Sequence, residues 1–197
     1  MCSPIHIAVM YLLVMLKPVI GILVVAAVAT GGDAFWYEMG VRHRMTAGAV
    51  HGAVLLGAVG LVLGWLSNRL AQGLAAGVGA GVAGAMAYYA MVAVGGRGAS
   101  LTAMVAAWAA VWLMLAVLDG RWLRAPAVRP WSEIVTRGVI AAVLGGLAFY
   151  LVLDVLWGHD GEATKNYLTQ YGAWLIAWAP GVLALTTGHR SKVTGQR

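Results

Sequence analysis

Residues 70–94 read LAQGLAAGVGAGVAGAMAYYAMVAV, a run with no charged residue and no proline. A helix needs roughly 20 mostly apolar residues to cross the hydrocarbon core of a bilayer. A barrel strand would alternate apolar and polar positions, and this run does not. Working outward, similar runs recur along the chain, and the spacing predicts helices over about 5–32, 45–66, 70–94, 100–118, 133–157 and 166–187, followed by a basic tail, 188–197. The first of these is interrupted by Lys17-Pro18. The fold expected is an all-α integral membrane bundle of about six transmembrane helices, forming a single domain over 1–197.

Composition agrees. Of 197 residues, 61% are hydrophobic and 10% are charged, and the mean hydropathy is +0.83. An ordinary soluble domain carries about 25% charged residues, so a soluble globular fold, a disordered chain and a disulfide scaffold are all excluded. A single cysteine, Cys2, allows no internal disulfide. The net charge of +6 comes from residues between helices and in the tail, without the basic stripe that nucleic acid requires, so no nucleic-acid partner is expected.

Lys17 in mid-membrane would cost at least about 2.5–3.5 kcal/mol, so it is expected near the cytoplasmic surface, with helix 1 running from there towards Trp36-Tyr37. An alternative is a signal peptide over 15–29, ending at Ala27-Val28-Ala29, with Met15 as a second possible start. Orientation follows from lysine and arginine placement. An N-terminus inside puts Lys17, Arg69, Arg121, Arg124, Arg129, Arg137, Arg190, Lys192 and Arg197 on the cytoplasmic side, against Arg42, Arg44, Arg97 and Lys165 outside. Both termini are therefore expected in the cytoplasm, in the cell (inner) membrane. Trp36, Tyr37, Trp122, Trp131, Trp157 and Tyr167 lie near expected helix ends, as interfacial aromatic belts do.

A possible internal repeat pairs Asp33-Ala-Phe-Trp36, Val41-Arg42 and Thr46-Ala-Gly48 with Asp119-Gly-Arg-Trp122, Val128-Arg129 and Thr136-Arg-Gly138. A three-helix unit must re-enter the membrane from the opposite side, giving the 3+3 inverted plan used by transporters. Gly73, Gly77 and Gly81, with Gly48/Gly52 and Gly60/Gly64, are small-residue faces suited to close helix packing, either within the chain or in a homodimer.

Ionisable residues inside apolar segments are the default site candidates. His51 and Asp154 fall at similar depth and could form a proton-titrating pair. Pro180, followed by Gly181, removes a backbone hydrogen bond within helix 6 and marks either a tolerated kink or a lining element. The structural alternative for the pair is that His51 bonds a carbonyl and Asp154 caps a helix. His43, His51 and His159 are weak candidates for a metal site, but His43 and His51 do not share a helix face. Only His51 is deep enough to ligate a b-type haem. No cofactor is expected, and no nucleophile elbow, zinc-protease or phosphate-loop motif is present. The leading expectation is transport of a small solute or ion. The alternative is a non-catalytic subunit or assembly factor of a larger membrane complex, with a metal- or haem-bearing redox component third. The partners expected are the lipid bilayer, the solute, and a possible second copy or larger complex.

Overall fold

The computed structural model describes residues 4–39, 44–95, 100–125, 128–152 and 166–186. These form six α-helices: α1 (Pro4–Glu38), α2 (Arg44–Leu66), α3 (Leu70–Gly95), α4 (Ser100–Leu118), α5 (Trp131–Leu151) and α6 (Tyr167–Thr186). A short π-helical turn, Asp119–Leu123, continues α4. There is no strand among the described residues. Four segments, Leu16–Phe35, Leu70–Gly95, Thr102–Leu123 and Trp131–Leu151, are long and apolar enough to cross a membrane, and Val50–Leu66 is a shorter apolar one. The exterior shows why water is the wrong solvent. Val78, Val82 and Met86 on α3 and Val135, Val139, Val143 and Leu147 on α5 are all exposed, so both helices are apolar outside as well as inside.

Each helix packs on its neighbour in sequence, and α6 closes on α1, so the six make a ring. The tightest seam joins α2 to α3. A Cβ on Gly60 would collide with the Gly73 carbonyl and the Gly77 backbone, and one on Gly77 would collide with the Leu56 carbonyl. Small residues let backbones approach where lipid supplies no hydrophobic drive between helices. The Gly60/Gly64 and Gly73/Gly77 faces are thus packed against each other inside the chain. The α2–α3 turn is set by Asn68, whose φ of 54° is left-handed, a conformation asparagine tolerates. The Arg69 N–H donates to the Gly64 carbonyl and the Asn68 N–H to the Trp65 carbonyl, a Schellman ending.

α1 runs as one helix through Lys17-Pro18 and past residue 32 to Glu38, which brings Asp33 into its final turns. The Lys17 ammonium lies 5.8 Å from the Trp65 ring at the last turn of α2. α6 runs unbroken through Pro180. Its buried face, Gln170, Trp174, Trp178, Val182 and Leu185, spans the bundle from end to end.

Candidate functional site

Asp33 gathers three helices. Its Oδ2 accepts hydrogen bonds from Gln170 Nε2 at 2.6 Å and Trp174 Nε1 at 2.7 Å, both on α6. Its Oδ1 stands 3.2 Å from His51 Nε2 on α2, within ion-pair reach but out of line for a hydrogen bond. The Asp33 and His51 side chains are 20% and 17% exposed, whereas Gln170 is 1% exposed. The site is therefore a partly buried carboxylate–imidazole contact backed by a buried amide and an indole. Gly32 makes the approach of α2 possible, because a Cβ there would lie 2.5 Å from His51 Nδ1. Nearby, the Tyr167 hydroxyl donates to Glu38 at 3.1 Å.

Such a group has clear chemical capacity. Histidine changes charge near neutral pH, and an adjacent carboxylate can share or tune its proton. The two α6 donors hold the carboxylate in place. Of the residues singled out in the sequence, His51 is in this site and Pro180 lies further along α6. Asp154, His43 and His159 lie outside the described residues. Among the described residues no three histidine, cysteine or carboxylate side chains are grouped to hold a metal ion.

Sequence reasoning did not single out Gln170 or Trp174. They sit four apart on α6, with Trp178 four further on, and a glutamine on the aromatic stripe of an apolar helix was the available signal. Nor did it single out the aromatic interior. Trp112 of α4 is fully buried, and its ring lies where a Cβ on Gly145 of α5 or Gly181 of α6 would have to go. Trp108 stacks on Phe149 at 4.5 Å between ring centroids. The indole N–H groups of Trp108, Trp112 and Trp178 meet no acceptor among the described residues. An unpaired buried donor of this kind costs about 1–3 kcal/mol.

The opposite end is held by arginines. Asp119, 2% exposed, accepts from Arg124 Nε at 2.9 Å and lies 3.5 Å from Arg129. Arg129 also donates to the Leu185 carbonyl at the end of α6 and lies 3.4 Å from Glu133. Arg137 bridges Glu133 and the Ala184 carbonyl. These cations satisfy carbonyls that a helix C-terminus leaves unpaired. Burial, then the neighbouring Arg124, lowers the Arg129 pKa to about 10. Arg129 thus stays charged at neutral pH. Its charge opposes folding there, and that cost is relieved only as pH rises above about 10, with Asp119 and Glu133 offsetting part of it. Arg129→Met leaves Glu133 and the Leu185 carbonyl without this donor and weakens the pairing of Asp119. It is expected to lower unfolding stability by about 2–4 kcal/mol, measured by denaturant titration in detergent.

No family model, curated protein or solved structure matches the chain.

Proposed function

We propose that this chain is an integral membrane protein of the cell (inner) membrane that moves a small solute or ion coupled to a proton, with Asp33 and His51 as the proton-carrying pair. The observation that carries this reading is a carboxylate and an imidazole 3.2 Å apart inside an apolar helix ring, where an ionisable group is costly and marks a pathway by default. The Asp119 end, with Lys17, Arg69, Arg121, Arg124, Arg129 and Arg137, faces the cytoplasm by the positive-inside rule, and the Asp33 end faces out. The ring supports a 3+3 inverted plan: α1–α3 and α4–α6 each open with a helix that carries a bonded aspartate towards its C-terminal end, Asp33 in the final turns of α1 and Asp119 just after α4, at opposite ends of α6. Transporters of that plan work by movement of one repeat against the other.

The charged groups that bear on Asp33 are His51 from α2 and, further along, Glu38 on its own helix, while α6 offers the neutral donors Gln170 and Trp174. His51→Gln removes the imidazole. Gly32→Ala leaves both groups in place but pushes the imidazole away from Asp33. In proteoliposomes loaded with pyranine, both variants are expected to slow proton entry at least tenfold, with helix content unchanged. Native rates in both would remove the pair from the mechanism.

Because both Asp33 oxygens are engaged, a second reading has support: a fixed polar clamp in a non-catalytic subunit of a larger membrane complex. It predicts no proton flux from the purified chain and a specific protein retained through mild detergent extraction.

A further inference from the structure

The arginine end of the bundle holds more positive charge than its carboxylates neutralise. Asp119 is shared by Arg124 and Arg129, and Glu133 by Arg129 and Arg137. Arg69 pairs with none of the described carboxylates. Its guanidinium donates instead to the Ala125 carbonyl at 2.7 Å, which ties the α2–α3 turn to the segment after α4. Lys17, beside Trp65 at the last turn of α2, adds a further cation to the same corner.

A cleft of about 490 Å³ opens between these two segments, lined by Ser67, Asn68, Arg69 and Arg124 together with Leu66 and Leu123. Small-molecule sites run from about 300 to 1,000 Å³, so a polar headgroup fits in it. A second cleft of the same volume lies between α5 and α6, but there Glu133 and Arg137 pair with each other at 2.9 Å. Its charges cancel. Among the described residues no carboxylate lines the first cleft, where Asp119 is buried and holds Arg124 by its Nε.

Two arginines with a hydroxyl and an amide beside them complement a phosphate, whose oxygens accept from guanidinium N–H groups. The surroundings choose between a soluble phosphate and a lipid. Trp65, Leu70 and Trp122 are exposed next to the cleft-lining residues, and tryptophans exposed among arginines mark the depth of the lipid headgroups. Basic pockets between transmembrane helices bind anionic headgroups at that level.

We propose that the Arg69–Arg124 cleft binds the phosphate headgroup of an anionic phospholipid, which bridges the α2–α3 turn and the segment after α4. The proposal needs this end of the bundle to lie at a membrane surface and is independent of transport.

The test is native mass spectrometry of the purified full chain, released from detergent with phosphatidylglycerol or with phosphatidylcholine. One phosphatidylglycerol is expected to be retained at least tenfold more tightly than phosphatidylcholine, which carries the same phosphate without net charge. Arg69→Gln removes one cation. Asn68→Asp sets a carboxylate in the cleft and keeps a residue that tolerates the left-handed turn. Each is expected to weaken retention of phosphatidylglycerol at least fivefold. Arg121→Gln is the control, because that guanidinium lies over Trp131 and outside the cleft, and it is expected to leave retention unchanged. Equal retention of the two lipids overturns the proposal. So does full retention in a folded Asn68→Asp sample, or an equal loss in all three variants, which would mean general attraction to a charged end. Displacement of the lipid by ammonium phosphate at matched ionic strength would make a soluble phosphate the occupant and overturn the lipid assignment.

Discussion

Asp33→Leu is expected to lower the unfolding free energy by about 1–5 kcal/mol. The aspartate accepts from the Gln170 amide nitrogen and from Trp174 Nε1, and Gln170 is almost wholly buried. Leucine removes this acceptor from both donors, at about 1–3 kcal/mol each. The interaction with His51 is lost as well, although its partial exposure limits that share. Measured bonds between helices in membranes are weaker, about 0.6–2 kcal/mol, which sets the lower bound. Asp33→Asn keeps an acceptor for the α6 donors and is expected to cost less than about 1.5 kcal/mol. Denaturant unfolding followed by tryptophan fluorescence checks both. Equal losses in the two variants would mean that Asp33 does not hold α6 through these bonds.

Gly77→Val is expected to cost more than about 3 kcal/mol, at the upper end of overpacking. A side chain here meets the Leu56 carbonyl and the Gly57 Cα, which are backbone atoms that no rotamer change can move. Gly73 and Gly60 face each other in the same way, so the whole α2–α3 seam must open. Gly52 on α2 is the control, because a Cβ there meets nothing within 4 Å. Gly52→Ala is expected to leave stability unchanged or raise it by up to about 1 kcal/mol, the helical preference of alanine over glycine. Parallel unfolding of the two variants tests whether the contact or the residue type matters.

The helices were legible because their apolar runs are continuous and long, and the glycine spacing of residues 73, 77 and 81 already described a close seam. Which helix that seam faced was not legible, since internal packing and self-association use the same residues. The site was half legible. His51 stood out as a charge in an apolar segment, but its partner depends on two facts that only the fold supplies. One is the closure of α6 onto α1, and the other is the continuation of α1 to Glu38, which carries Asp33 inside the bundle. The aromatic interior escaped because tryptophan in a membrane protein reads first as an interfacial residue. Trp122, Trp131 and Tyr167 do sit exposed at helix ends. Trp112 goes inside because Gly145 and Gly181, on two other helices, leave room for its ring, a three-helix coincidence with no local signature.

Proton entry into pyranine-loaded proteoliposomes measures the central claim most directly. The native chain and Asp33→Asn would be compared at a fixed inside-negative potential, with inorganic anions, amino acids and sugars together outside. The account predicts flux from the native chain well above that of empty liposomes, and flux at the empty-liposome level from Asp33→Asn despite a folded bundle. Native flux no faster than empty liposomes, or Asp33→Asn as fast as native, would contradict it.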